Sequence, residues 1–362
     1  MAEKSRATGC DLGTMFFQTA EQDEVDSKKI NIKTTRNAFV EIQETEDIEE
    51  QLKRNNWQYI KDGKKYYVIG EDSMRVANMF PGMELRRPLQ DGVLNKDEDK
   101  KMLIVNELIK NSIGRAPTTT SAVCACVSSE SVDDSVDNKF HKARLIGMLK
   151  NLGWNVKIID EGFAVILSER PVVIENGIEI PYSGIGISFG AGRTNCVAAY
   201  KGWQIDGLAM SVARGGDYID QKVAEVTGQP ITQVTRVKET KLDFTKLDTN
   251  NDIIFALDTY YTDMIKYTFT KFANRFAKIK PRFESPVPIV VAGGSSMPTG
   301  FCTKLKDVIG ELELPFEVKD VKHAASPRDA VVTGCLAQAV VLRRKLEKDK
   351  NAIVEKDEAL LK

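Results

Sequence analysis

An α/β fold of two large lobes is what this sequence predicts, and three observations carry the expectation. Strand-like and helix-like segments alternate along the chain. The 362 residues are enough for two substantial cores. Two distant stretches, "GCDLGTMFFQTA" near the start and "GISFGAGRTNCVAAY" in the middle, share one layout of strand, small-residue turn and strand. Each can open one half of a duplicated molecule, and two such hairpins can grip one ligand from both sides.

The elements follow in order. A first strand and turn over about 7–20 lead into the acidic loop "EQDEVDSKK". The β-rich pieces "NAFVEI" and "KKYYVIGEDS" come next, with the turn "KDGKK" between them. "KDEDKKMLIVNELIKNSI" carries apolar residues at helical spacing, and "SAVCACVSS" has the short apolar run of a buried strand. "NKFHKARLIGMLKNLG" reads as an amphipathic helix ending at Gly153. "NVKIIDEGFAVIL" is strand, turn and helix start, and "GLAMSVARGGDYIDQKVAEVTG" is strand, glycine turn and helix. A long helix is expected over about 251–279, then the strand "PVPIVVAGGSS". The last helix, "SPRDAVVTGCLAQAVVLRRKLEKDK", loses its apolar stripe near 345, and a frayed charged end is expected.

Composition narrows the function. Charged residues at 28% and hydrophobic residues at 42% are ordinary globular values, and a net charge of −1 gives no electrostatic reason to expect nucleic acid as partner. Six cysteines are scattered without a CxxC pair, and with two histidines they suggest buried small hydrophobes rather than a transition-metal site. The start lacks an apolar core of signal-peptide length, and no run approaches the ~18–20 apolar residues of a membrane span. A soluble, cytoplasmic protein without a direct membrane anchor is expected. Phe16 and Phe17 read as strand core.

Three loops can carry chemistry. Tight glycine turns present backbone N–H groups with no Cβ in the way, and successive N–H groups form nests for phosphate oxygens. Asp11-Leu12-Gly13-Thr14 is one candidate, with Asp11 placed to hold hydrated Mg²⁺ and Thr14 to contact phosphate. Gly190-Ala191-Gly192-Arg193-Thr194 is the second. The third is "VVAGGSSMPTG", where Gly293-Gly294-Ser295 after a buried strand lets backbone lie against a planar base or ribose.

In this order and spacing the loops resemble the superfamily of actin, the seventy-kilodalton heat-shock chaperones and the sugar kinases. "DLGT" resembles the first phosphate motif, "ISFGAGRTN" the second and "VVAGGSS" the adenosine motif, while "IIDEGFAVIL" and "SPRDAVVTGCLAQA" resemble the two connecting helices. "VIGEDSMRVANMFPGMELRRPLQDGVL" is similar to a stretch of the bacterial actin-like proteins of the MreB and MamK kind. The resemblance implies an actin-like two-lobed fold of duplicated ribonuclease-H-like domains with a nucleotide cleft. It also implies domain I over 1–160 with an insertion at about 30–85, domain II over 161–330 with an insertion at about 228–285, and a C-terminal helix over 331–362 returning to domain I.

The same resemblance assigns roles. "RGGDYIDQKV" places Gly215, Gly216 and Asp217 beside the nucleotide, and "RVKETKLDF" places Lys238 and Glu239 near adenine and ribose. Glu161 aligns with the glutamate that orients the attacking water, and Asp11 with the aspartate that holds the metal's water shell. The implied function is an ATPase that binds Mg-ATP and polymerises into cytoskeletal filaments, with a possible adaptor or cargo. The alternative is a non-polymerising, chaperone-like nucleotide switch.

Two residues depart from the pattern. Ser188 stands where the second phosphate motif normally has aspartate, so a weaker metal site and slower hydrolysis are expected. Arg193 adds a charge to the phosphate hairpin, which is expected to offset part of the triphosphate's charge. Asn195, where the motif often ends in aspartate, is a lesser departure.

Overall fold

Residues buried on both faces of a central strand need no alternation, and two strands show this most clearly: "AVCACV" and "GIGISF" are buried at every position. Each sits inside a five-stranded sheet of a computed structural model. It describes residues 4–360 apart from 24–25, 27, 81, 95–98, 137, 170–171, 176–177, 282 and 284–285. The chain divides into two compact units. Unit 1 comprises 1–125, 139–158 and 335–362, and unit 2 comprises 126–138 and 159–334.

Unit 1 opens with β1 (Ala7–Leu12), β2 (Phe16–Gln22) and β3 (Ile30–Arg36), an antiparallel meander. β4 (Phe39–Gln43), helix α1 (Ile48–Arg54), β5 (Tyr59–Asp62) and β6 (Lys65–Ile69) follow, and β4, β6 and β5 form a small sheet of their own. Leu52, Tyr66, Val68 and Val76 are buried beneath it. Then come α2 (Glu71–Met79), the short pair β7 (Leu89–Gln90) and β8 (Val93–Leu94), and α3 (Asp99–Ile113). β9 (Ala122–Val127) pairs in parallel with β1, and after α4 (Asn138–Asn151) β10 (Asn155–Asp160) completes the sheet order β10-β9-β1-β2-β3.

Unit 2 repeats the plan. Helix α5 (Glu161–Ser168) follows β10 directly, where the sequence suggested a turn between them. The hairpin β11 (Val172–Glu175) and β12 (Ile178–Pro181) precedes β13 (Gly184–Phe189), β14 (Thr194–Tyr200) and β15 (Trp203–Val212). Helices α6 (Gly216–Thr227), α7 (Ile231–Thr240) and α8 (Asp252–Ile279) come next, then β16 (Val287–Ala292), α9 (Phe301–Gly310) and β17 (Val318–His323). The sheet order β17-β16-β13-β14-β15 matches that of unit 1, so the repeated layout in the sequence marks a repeated topology. The last helix, α10 (Ala330–Leu360), enters unit 1 at Cys335. Its helical span takes in the charged stretch to Leu360, where a frayed end was expected.

Two differences from the sequence reading have local causes. Helix α1 went unpredicted because it is seven residues long with Leu52 alone buried, too short for an apolar period to show. Phe17 is core, but Phe16 is 37% exposed, with the Arg36 guanidinium over its ring; alternation along β2 sends neighbours to opposite faces. Five of the six cysteines are buried and Cys302 is half-buried. Among the described residues no helix is long and apolar enough to cross a membrane.

The N-terminus of α5 is set by close approach. A Cβ on Gly186 of β13 would lie 2.3 Å from the Gly162 carbonyl oxygen, and one on Gly162 would lie 2.9 Å from the Gly186 carbonyl oxygen. Two facing glycines therefore let the helix rest on the strand and fix where Glu161 begins it.

In unit 1 the His141 ring is buried, and its Nδ1 accepts from the Leu94 N–H at 3.2 Å. Burial holds its pKa down, from the usual 6.5 to about 4. The folded-state value lies below the unfolded one, so this contribution is intact above pH 6.5 and lost as pH falls towards 4. The loss amounts to ~3 kcal/mol. Urea unfolding of the wild type at pH 7, 5.5 and 4.5 should show that decline, and His141→Asn should flatten it.

Candidate functional site

In unit 1, β1 ends at Asp11 and Leu12, and the chain turns back through Gly13 and Thr14 into β2. The Gly13 N–H donates to the Phe16 carbonyl at 3.0 Å, and a Cβ at Gly13 would meet that oxygen at 2.9 Å. Asn37 secures the turn: its backbone N–H donates to the Met15 carbonyl at 3.0 Å and its Nδ2 to the Gly13 carbonyl at 2.8 Å. Asn37 is fully buried, and sequence reading missed it because a lone Asn after a strand carries no pattern. Thr14 is buried, and Asp11 stands half-buried opposite Gln18.

In unit 2, three loops meet at the turn of the β13–β14 hairpin. The Gly190 N–H donates to the Arg193 carbonyl at 2.9 Å, which closes the turn. The Gly190 carbonyl accepts from the Gly216 N–H at 3.0 Å and the Ser295 hydroxyl at 2.9 Å, and the Ala191 carbonyl accepts from the Asp217 N–H at 2.8 Å. The two carbonyls that would repel an anion are thus turned into the protein. A Cβ on Gly215 would lie 2.3 Å from the Ala191 carbonyl oxygen, and one on Gly216 would lie 2.5 Å from the Ser295 hydroxyl. Gly293 has φ +95°, and a Cβ there would strike the Phe189 carbonyl oxygen at 2.3 Å.

Lys238 joins this group from α7. Its Nζ donates to the Gly216 carbonyl at 3.0 Å and to Asp220 Oδ2 at 2.8 Å, and the Thr235 hydroxyl also donates to Asp220 Oδ2 at 2.7 Å. Burial raises the Asp220 pKa against the lowering pull of Lys238 and Thr235. Gly190, Ala191, Arg193, Gly215, Gly216, Asp217, Lys238, Gly293 and Ser295 are therefore knit into one region, with Gly192 and Thr194 on the same hairpin and Gly294 in the same loop. Glu239 is exposed on α7.

A second network lies at the base of the hairpin. Ser188 is buried and pairs across the hairpin with Asn195. Asn195 Nδ2 donates to Glu161 Oε2 at 2.9 Å, and its Oδ1 accepts from the Ser129 N–H at 3.0 Å. The Ser128 hydroxyl donates to Glu161 Oε1 at 3.0 Å. The Ser129 hydroxyl donates to Asp160 Oδ1, and Gln204 Nε2 to Asp160 Oδ2, both at 2.8 Å. Sequence reading found Glu161 but not Ser128 and Ser129, which lie more than 30 residues earlier.

The expectation for Arg193 is corrected. Its side chain is 1% exposed and its guanidinium faces the 131–134 segment: Nη1 lies 2.8 Å from Asp134 Oδ2, Nη2 donates to the Ser131 hydroxyl at 2.5 Å, and Nε donates to the Ser211 hydroxyl at 3.1 Å. Asp133 lies 3.8 Å away. A buried guanidinium needs carboxylates, and Asp133 and Asp134 supply them, so its charge is spent inside unit 2.

Burial pushes the Asp134 pKa up, but hydrogen bonds from Arg193 and Ser131 and the Arg193 charge outweigh it, leaving the pKa below the usual 3.8. A depressed folded-state value means the ion pair stabilises above pH 3.8 and is lost as pH falls through the folded value. Arg193→Met should cost ~3 kcal/mol, as expected for breaking a buried pair from one side. Urea unfolding at pH 7 checks this, and at pH 3 the gap between variant and wild type should narrow.

Among the described residues no cluster of three or more His, Cys, Asp or Glu side chains is placed to hold a metal ion directly.

The comparisons agree with this architecture. The solved structure of a MamK double helical filament matches with a TM-score of 0.66 over 93% of this chain and 99% of that chain, at 17% identity. The actin-like protein MamK of Paramagnetospirillum magneticum is 22% identical over 160 residues, 43% of this chain and 41% of that protein. MamK of Magnetospirillum gryphiswaldense is 23% identical over 160 residues, 43% of this chain and 39% of that protein. The chain thus spans about two fifths of the length of the curated relatives it matches. Its fold is actin-like, matching that of the MamK filament, and over two fifths of its length its sequence is similar to MamK. The sequence model of the family described as Volactin matches residues 6–339, and the chain belongs to that family.

Proposed function

We propose that this protein is an actin-like ATPase that binds Mg-ATP and assembles into filaments. The observation that carries the reading is the glycine cradle of unit 2, where Gly215 and Gly293 lie too close to the backbone of the β13–β14 hairpin for a Cβ. Such an approach suits a ligand recognised by main-chain N–H groups, as a phosphate is. The turn at Gly190–Thr194 receives phosphate oxygens, and the 293–295 loop and Lys238 border the nucleoside; the resemblance assigns the Asp11–Thr14 turn to phosphate as well.

Bound magnesium would offset the charge of the phosphates. Asp11 is the carboxylate proposed to hold its water shell. Ser188 offers one neutral hydroxyl where a second carboxylate would stand, so it would hold the metal's water shell more weakly and hydrolysis would be slow. Glu161, fixed at the start of α5, accepts a proton from the attacking water and aims its lone pair. The nucleotide favours the subunit shape that stacks, and turnover removes that preference. Head-to-tail stacking is a heterologous contact that does not close, so it gives filaments.

High-speed sedimentation over a concentration series tests the assembly. With Mg-ATP the protein should pellet above a critical concentration, and less should pellet with Mg-ADP or no nucleotide. Protein that binds ATP yet stays in the supernatant at every concentration would refute the filament reading. Ser188→Asp should speed phosphate release about tenfold, the scale of one additional charge-assisted hydrogen bond in the transition state. An unchanged rate would remove Ser188 as the cause of slow turnover.

A further inference from the structure

We infer that Asn195 and Ser128 are positioning residues that hold the Glu161 side chain in one orientation. The inference rests on the proposed hydrolysis and goes beyond it, because neither residue is assigned to the nucleotide or the metal.

The geometry is a clamp with one jaw on each oxygen. Asn195 Nδ2 reaches Oε2 at 2.9 Å and the Ser128 hydroxyl reaches Oε1 at 3.0 Å. One donor per oxygen fixes the rotation of the carboxylate plane, which a single donor cannot do. Asn195 is itself fixed. It is fully buried on β14, and its Oδ1 accepts the Ser129 N–H at 3.0 Å, so the amide's donor end is the one turned to Glu161. Ser128 lies in the same segment as Ser129, whose hydroxyl ties down Asp160 at 2.8 Å. Two adjacent serines thus secure the two adjacent carboxylates where β10 passes into α5.

The chemical identity of the jaws matters as much as their position. Both donors are neutral, so they orient the carboxylate without offsetting its charge. A lysine or arginine there would weaken it as a proton acceptor. An aspartate at 195 would bring two carboxyl groups within about 3 Å, and one of them would then have to hold a proton. Asn195, at first sight a lesser departure from the acidic residue of the motif, supplies the amide donor this arrangement requires.

The test separates action through Glu161 from a merely structural role. Single-turnover phosphate release and equilibrium binding of a fluorescent ATP analogue would be measured on the full chain for wild type, Glu161→Gln, Asn195→Ala, Ser128→Ala and the Asn195→Ala/Glu161→Gln double variant. Asn195→Ala and Ser128→Ala should each slow release by about tenfold, as losing a hydrogen bond to a charged group predicts. Binding should change by less than about threefold, since neither jaw is a ligand contact. In the Glu161→Gln background, Asn195→Ala should cost nothing further.

An equal loss in both backgrounds would show that Asn195 acts independently of Glu161 and would overturn the clamp. So would wild-type rates in both single variants while Glu161→Gln is slow, and the proposed ATPase would then stand without it. A wild-type rate in Glu161→Gln, or no hydrolysis by the wild type, would refute the catalytic reading and the clamp with it. If Asn195→Ala loses its cooperative thermal transition, Ser128→Ala and the Ser128→Ala/Glu161→Gln pair decide the question by the same criteria.

Discussion

The site in unit 2 depends on one constraint: backbone must touch backbone where the β13–β14 turn meets the 215–216 loop. A Cβ at Gly215 would come within 2.3 Å of the Ala191 carbonyl oxygen, a separation no side chain tolerates. The contact lets the Gly216 and Asp217 N–H groups satisfy the Gly190 and Ala191 carbonyls, with Ser295 adding a hydroxyl from the third loop. Three loops far apart in sequence are thereby locked into one surface. The sheet order makes this possible, because β13 lies between β14 and β16 and brings their ends together.

How much of this could be seen in the sequence follows from the range of each interaction. Glycine turns and fully apolar strands are local signals, so both hairpins, the buried strands β9 and β13 and the repeated topology were legible. The short helix α1 was not, since Leu52 alone is buried and no period forms. Arg193 was misread for a different reason. Its partners Asp133 and Asp134 lie about 60 residues away in a run of polar residues, and nothing local marks them as ligands of a buried guanidinium. Asn195 stood in a recognised motif, but its partners Glu161 and Ser129 are 34 and 66 residues distant.

The arrangement of charge in unit 2 is economical. Ser188 and Asn195 occupy the two strand positions where the related motif carries acids, and both are neutral and buried. Glu161 is left as the carboxylate that Asn195 contacts, held by amide and hydroxyl donors. The guanidinium at 193 is paired within the fold. The hairpin thus presents neither a free carboxylate nor an unpaired cation of its own.

That neutrality shapes how the turn can attract an anion. A guanidinium pointing outward would draw phosphate through a long-range field that salt screens over about 8 Å at physiological ionic strength. With Arg193 committed to Asp133 and Asp134, an anion proposed to sit at 190–194 would be held by backbone dipoles, which act at hydrogen-bond distance and demand correct geometry. The ion pair therefore works as a brace: it fixes the turn from behind, where the 131–134 segment runs beside Ser211 and Ala213. Replacing it with an apolar residue of similar size need not cost stability if the two aspartates are replaced as well. What such a swap would remove is the directional hold on the turn, the property a site built from main-chain N–H groups needs most.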